Sequence, residues 1–377
     1  MEYLPFARPT IDEDTIAGVA DVLRSGWITT GPHVAEFERA LSDYLGGRIV
    51  RTFTSATGAL EVALQACGIG PGDEVIVPAM TFAASANVVA RVGARPAFVD
   101  VELTTRNLDP ARIEAAITPR TRAIMPVHFA GLAVDMERIY EIATRYKLRV
   151  VEDAAHAIGT RWKDRRIGSF GDLVSFSFHP NKNMTTIEGG ALSLPSDAEL
   201  KAVELQRFHG LERDAEGNFD VLVPGGKYNL SDVSARIGLS QLQQLEGFIQ
   251  RRRALVKRYF ERFKAEPSCL LPLAEDAGHS WHIFAPLLPL QRVDLTRAQF
   301  IKAMHERGIG VGVHYPAIHL FSAYRKLGYK EGDFPNAERI GRETVTLPLF
   351  PSMQLSDVDR VCEAVSDILR SANKAHR

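Results

Sequence analysis

The sequence predicts an α/β fold, in which a sheet with helices on both faces is followed by a smaller α+β region. Three observations carry that reading. Short β-rich runs alternate with helical stretches from Asp12 to Gln250, as in sheets built through helical crossovers. The chain has 377 residues, more than one hydrophobic core comfortably serves, so two domains are expected. A long helical segment, "LSDVSARIGLSQLQQLEGFIQRRRALVKRYFERFKA", reads as the bridge between them. The expected division is an N-terminal arm over residues 1–11, a large domain over 12–250 and a small C-terminal domain over 251–377.

Each element follows from local pattern. "EVIVP" (Glu74 to Pro78), "RPAFVDV" (Arg95 to Val101), "RAIMPVH" (Arg122 to His128) and "LRVVED" (Leu148 to Asp153) are short apolar runs of the kind that fill buried strands. Between them "ALEVALQACG", "AASANVVARVG" and "DMERIYEIATRYK" carry helical spacing, the first two closing on glycine. "GIGPGD" and "GIGVGVH" look like pieces of a dinucleotide fingerprint. That fingerprint must follow a strand and open a helix, whereas both of these follow a helix and precede a strand. They read as helix C-caps and turns, and the nicotinamide reading loses its support. After the long helix, "WHIFAPLLPL", "RAQFIKAMHERG" and "IGVGVHY" suggest the smaller α+β domain, which closes on the helix "LSDVDRVCEAVSDILR".

Composition removes several classes of function. Lysine and arginine total 45 against 46 acidic residues, a net charge of −1, so no polybasic surface for nucleic acid or membrane is expected. No apolar run approaches the ~20 residues that span a bilayer. The start, "MEYLPFARPT", lacks the layout of a signal peptide, and a cytoplasmic location is expected. Cys67, Cys269 and Cys362 lie far apart with no C-x-x-C pair, which fits reduced thiols and neither a disulfide framework nor a zinc cluster. His314 and His319 in "HYPAIH" are not one helical turn apart, Pro316 interrupts them, and no metal site is expected.

Three stretches can carry chemistry. "RTFTSATGALEVAL" (Arg51 to Leu64) ends a short run in small hydroxyl residues and at once begins a helix. Such a helix start offers free N–H groups and a partial positive charge to an anion; taken alone, it is as well explained by an N-cap with spare hydroxyls. "VVEDAAHAIGT" puts Asp153 at the carboxyl end of an apolar strand, where ligands of open α/β sheets bind, with His156 just beyond. Alone, these read as a capping aspartate and a core histidine. "VSFSFHPNKNMTTIEGGALSL" hangs one lysine, Lys182, on a polar loop between two buried strands. Desolvation lowers a lysine's pKa and lets it form a Schiff base with an aldehyde. A phosphate cup, a strand-end carboxylate and a loop lysine are together the groups that pyridoxal phosphate requires for its phosphate, ring nitrogen and aldehyde.

With "SGWITTGP", "SATGAL", "PGDEVIVPAMTFAASAN", "VVEDAAHAIGT", "SFHPNKN…EGGAL", "KYNLSD" and "RGIGVGVHYPAIH", the whole chain resembles the DegT-type (DegT/StrS) sugar aminotransferases. The resemblance implies an aspartate-aminotransferase-like fold (fold type I), a large domain with a mixed, mostly parallel sheet plus a smaller C-terminal domain, and pyridoxal 5'-phosphate as cofactor. It implies that Lys182, Asp153 and His156 are catalytic. Lys182 carries the cofactor and shuttles the proton, Asp153 pairs with the ring nitrogen, and His156 lies beside the ring. Ala56, Thr57 and Ser177 match phosphate-binding positions, and Phe82 a ring-stacking position. Asn229 matches a residue that reaches the neighbouring subunit's phosphate, which implies a homodimer with shared sites. His314 and Tyr315 are the candidate substrate contacts.

Within the family the chain most resembles the branch that makes UDP-4-amino-4-deoxy-L-arabinose for lipid A and lipopolysaccharide modification. That branch implies glutamate as donor, 2-oxoglutarate as its product, and a UDP-linked 4-keto pentose as acceptor. The chain departs from the branch's pattern at "HPNKN" and over Arg213–Val223, on the side that faces substrate. Another 3- or 4-keto nucleotide sugar of O-antigen, glycan or antibiotic-sugar synthesis stays open, as does a non-catalytic regulator that binds cofactor or sugar nucleotide.

Overall fold

The computed structural model describes residues 2–265, 269–272 and 278–372. Its centre is a seven-stranded sheet of β1 (Ile49–Phe53), β2 (Glu74–Pro78), β3 (Arg95–Val99), β4 (Thr121–Ile124), β5 (Arg149–Asp153), β6 (Leu173–Ser177) and β7 (Gly190–Leu194), in the order β1-β7-β6-β5-β4-β2-β3. β7 runs antiparallel to both its neighbours, and the other four pairings are parallel. Six strands therefore point their carboxyl ends to one side. β4 stops at Ile124, short of the apolar run that suggested it. Beyond that point Pro126 has no N–H to give, and only its carbonyl reaches Asp153 N.

The longer helices are α1 (Glu13–Ser25), α2 (Pro32–Tyr44), α3 (Ala56–Ala66), α4 (Ala83–Arg91), α5 (Met136–Tyr146), α6 (Leu200–Arg207), α7 (Asp232–Ala265), α8 (Arg297–Glu306), α9 (Pro335–Glu343) and α10 (Leu355–Ser371). Strand alternation divides the core between two faces. Val75 and Val77 of β2 join Ala59 and Leu60 of α3 and Val88 of α4 in one apolar cluster. Ile76, between them, joins Phe37 of α2, Ile139 and Ile142 of α5, and Leu245 and Ile249 of α7 on the other face. Two glycines just past helix ends, Gly68 and Gly93, take positive φ, as C-caps do.

α7 is continuous for 34 residues, straight through the division expected at residue 250. Leu255, Tyr259 and Phe263 on its later turns join a third cluster with Phe284, Phe300, Val361 and Val365. In this C-terminal part the segments "WHIFAPLLPL" and "IGVGVHY" pair through isolated bridges, Phe284 with Leu347 and Gly312 with Thr346 among them. The N-terminal arm is tied along its length. Leu4 bridges Ile309, the Glu2 carbonyl accepts from Arg360, and the Thr10 carbonyl accepts from Gln241 of α7. Among the described residues no helix is long and apolar enough to cross a membrane.

Candidate active site

A cavity of about 350 Å³ opens at the carboxyl side of the sheet, and Ala56, Thr57, Phe82, Asp153, His156, Ser177, Lys182, His314 and Tyr315 all line it. Topology explains the convergence. α3 starts just past β1, Asp153 ends β5, Ser177 ends β6, and Lys182 hangs on the loop from β6 to β7. These strands lie side by side, so residues up to 126 positions apart in sequence share one wall.

One end of the cavity is the start of α3. Ser55 caps it, its Oγ accepting from Gly58 N at 3.0 Å, which leaves the Ala56 and Thr57 amides without helical partners. Here β7 presses close. A Cβ on Gly190 would fall 2.4 Å from Ala56 N and 2.5 Å from the Ser55 carbonyl carbon, so a side chain there would fill the cradle. Close backbone approach is the reason for a glycine at this position.

At the other end Asp153 is 5% exposed. Ser85 Oγ donates to its Oδ2 at 2.7 Å and Ala155 N to its Oδ1 at 3.1 Å. The Ser85 hydroxyl hydrogen is thus committed, so the Thr81 hydroxyl donates to Ser85 Oγ at 3.0 Å. Sequence reasoning missed Ser85 and Thr81. Their signal was faint, two hydroxyls one helical turn apart in "MTFAAS".

His156 has a fixed tautomer. The Ala130 amide donates to its Nδ1 at 3.1 Å, so the neutral ring carries its proton on Nε2 and donates to Tyr315 Oη at 3.1 Å. Burial first, then Lys182 and His314, push its pKa well below that of free imidazole. Tyr315 keeps its phenolic proton, because burial and the Asp153 charge both raise its pKa. Phe82 stands at the mouth, 57% exposed, its ring 5.7 Å from that of Tyr315. His314 bonds Thr346 Oγ1 through Nδ1 at 2.8 Å, whereas His319 pairs with Glu338 at 3.1 Å in the interior. His282, not singled out by any motif, lies behind His156 with ring centroids 4.4 Å apart. Burial pulls the Lys182 pKa down to about 8, against the opposing pull of the Asp153 charge. Asn229 is not among the lining residues of this cavity; its amide donates to Thr30 Oγ1, and Lys227 donates to its Oδ1.

The model of the DegT/DnrJ/EryC1/StrS aminotransferase family matches residues 9–366. The chain belongs to that family. It is 40% identical over 382 residues to the spore coat polysaccharide biosynthesis protein SpsC of Bacillus subtilis (strain 168), with 98% of each chain covered. Among solved structures it superimposes with a TM-score of 0.92 on Spr1654 from Streptococcus pneumoniae, a protein assigned as a sugar aminotransferase and solved in PLP- and PMP-forms. Identity there is 34%, covering 98% of this chain and 99% of that one. S. venezuelae DesV, in complex with a ketimine intermediate, gives a TM-score of 0.90 at 33% identity and the same coverage.

This DegT-family aminotransferase is a pyridoxal-phosphate enzyme, and its own geometry fits the cofactor. The α3 cradle kept open by Gly190 suits the phosphate, Asp153 held by Ser85 suits a protonated ring nitrogen, and a half-buried lysine of lowered pKa suits the aldehyde.

Proposed function

We propose that this aminotransferase moves an amino group from glutamate to a keto sugar carried on a nucleotide, and more finely to a UDP-linked 4-keto pentose bound for lipid A or lipopolysaccharide. The single observation behind the reading is the meeting of Lys182, Asp153 and the start of α3 on one cavity wall. The polysaccharide and sugar roles of the relatives support the acceptor class.

Pyridoxal phosphate, when bound, supplies an electron sink for the negative charge that develops at the donor's α-carbon. The Ala56 and Thr57 amides and the Ser177 hydroxyl hold its phosphate, Asp153 keeps its ring nitrogen protonated, and Phe82 and His156 flank its ring. Lys182 Nζ takes a proton from the donor's α-carbon in one half of the cycle, and gives one to the sugar carbon that receives nitrogen in the other. A pKa near 8 suits both duties, since a proton shuttle works best close to the ambient pH. His156, neutral with its proton on Nε2, orients the Tyr315 hydroxyl toward the cavity, where Tyr315 and His314 meet the sugar or its diphosphate.

The active form is a homodimer in the cytoplasm, where nucleotide-linked sugars are at hand. Trp27, Ile28, Ile187, Phe208 and Phe219 are large apolar side chains left exposed in the single chain, which a second copy would cover. No arginine stands among the described residues that line the cavity, although glutamate and a diphosphate are both anionic. Cations and Asn229 from the second copy would supply what one chain lacks. Two half-reactions test the substrates: glutamate should convert the enzyme to the pyridoxamine form, and the UDP-4-keto pentose should restore the aldehyde form. Restoration only by a hexose or a 3-keto sugar would reject the pentose, and restoration only by a small keto acid would reject the sugar.

A further inference from the structure

Behind the catalytic wall, Lys182 also lines a second and much smaller cavity, roofed by Arg8, Pro9 and Thr10 of the N-terminal arm and floored by Asn183, Gln241 and Arg252. It leaves about 10 Å³ of freedom for the centre of a water-sized sphere, enough for one water molecule. Two of its walls have hydrogen bonds of their own. Gln241 donates to the Thr10 carbonyl and accepts from Thr185 N, and the Thr185 hydroxyl donates to the Phe178 carbonyl.

Three buried polar atoms on these same residues have no partner: Thr10 Oγ1, Asn183 Oδ1 and Arg252 Nε. Asn183 and Arg252 are 3% and 2% exposed. A buried polar atom left unpaired loses its hydration without compensation, so three on residues that line one small space ask for a common partner. Their chemistry selects it. Asn183 Nδ2 donates to the Ser280 carbonyl, which fixes the amide's orientation and turns Oδ1 into an acceptor in need of a donor. Arg252 spends Nη1 on the carbonyls of Trp281, His282 and Leu349, and its Nε–H needs an acceptor. An anion such as chloride could serve the arginine but could donate nothing to the amide. Water does both, and the Thr10 hydroxyl can complete it in either sense.

We infer that one ordered water is bound behind Lys182 by Arg252 Nε, Asn183 Oδ1 and Thr10 Oγ1, and that it forms a polar wall through which the N-terminal arm bears on the lysine amine. Asn183 follows Lys182 directly, Arg252 belongs to α7, and Thr10 belongs to the arm, so the water pins the lysine loop to two elements distant in sequence. It also solvates the amine's cationic form from that side. Thr10 and Asn183 are positioning residues in this arrangement; the catalytic role of Lys182 itself rests on the function proposed above.

The test uses the cofactor-loaded enzyme. A high-resolution crystal structure should show one water within hydrogen-bond distance of Arg252 Nε and Asn183 Oδ1. Spectrophotometric titration of the lysine-linked chromophore should then give a midpoint about 0.5 pH units or more lower in Thr10→Val than in the wild type, because the charged form loses solvation. Thr10→Ser, which keeps the hydroxyl, should restore it. A dry cavity, a side chain in the water's place, or an unmoved midpoint in Thr10→Val would overturn the inference. None of these results touches the function proposed above, which fails separately if the wild type forms no chromophore on Lys182.

Discussion

Glu152 and Asp153 are consecutive on β5, and both are buried, yet they face opposite sides of the sheet and meet opposite treatment. Glu152 is enclosed. His128, whose Nδ1 accepts from Val134 N, donates Nε2–H to Glu152 Oε2 at 2.9 Å. Tyr140 donates to Oε1 at 2.6 Å while accepting from Asp172 N. Asp153 has one hydroxyl and one amide and otherwise faces the cavity. Each carboxylate accepts two hydrogen bonds; Glu152, closed off from any cavity, holds a strand in place, whereas Asp153 opens onto the cavity at the strand's carboxyl end, where a cation can reach it. The same contrast separates Lys163 and Lys227, one paired with Glu137 at the surface and the other with Asn229, from Lys182 in its cavity wall.

The largest effect expected from breaking this contrast is at the lysine. Lys182→Ala should lose transamination by at least about a thousand-fold, the combined worth of a nucleophile and a proton shuttle. It should still bind the cofactor through the phosphate cradle, which equilibrium dialysis can check. Retained turnover would put the chemistry elsewhere.

Next come the two neighbours on β5. Asp153→Asn should slow the glutamate half-reaction about 10²–10³-fold, as loss of an electrostatic stabiliser does, while the melting temperature hardly moves. Glu152→Gln should do the reverse: the His128 and Tyr140 hydrogens lose their charged acceptor, stability falls by about 2 kcal/mol, and the half-reaction of the folded fraction stays within a few-fold of wild type. Stopped-flow absorbance and thermal melts separate the two. Equal effects of both variants on both measurements would dissolve the distinction.

The smallest effect is on stability and depends on pH. Lys182 has a pKa of about 8 in the folded chain and of about 10.4 when unfolded. Between those values the unfolded state binds more protons, so the folded state gains stability as pH rises. Below pH 8 both states are protonated, and the cost of holding an ammonium in the cavity is fully felt. In the cofactor-free enzyme Lys182→Met should therefore be the more stable by on the order of 2 kcal/mol below pH 8, with the advantage fading by about pH 10.5. Denaturant melts at pH 7 and pH 10 measure it, and an advantage that does not shrink with pH would place the lysine in water.

Much of this is legible in the sequence alone. The strands "EVIVP" and "LRVVED" stood out because burial on both faces leaves a continuous apolar run. Lys182, Asp153 and the Ser55 cap stood out because each breaks such a run at its carboxyl end. What escaped was set by contacts between distant segments. Ser85 reaches Asp153 across 68 positions, and the motif around it reads as an ordinary helix start. Arg252 sits among the arginines and lysines of a long helix, where nothing local distinguishes the one that α7 turns inward. The segments "WHIFAPLLPL" and "IGVGVHY", expected to build the smaller α+β domain, pair through single bridges, because prolines at 286 and 289 and glycines at 310 and 312 interrupt a ladder.

Borohydride reduction of the cofactor-loaded enzyme, followed by peptide mapping, tests most directly whether one lysine in the β6–β7 loop carries the chemistry. Reduction should fix the cofactor to Lys182 and to no other residue, in close to one equivalent per chain. Label on Lys163 or Lys227, or no covalent label at all, would contradict it.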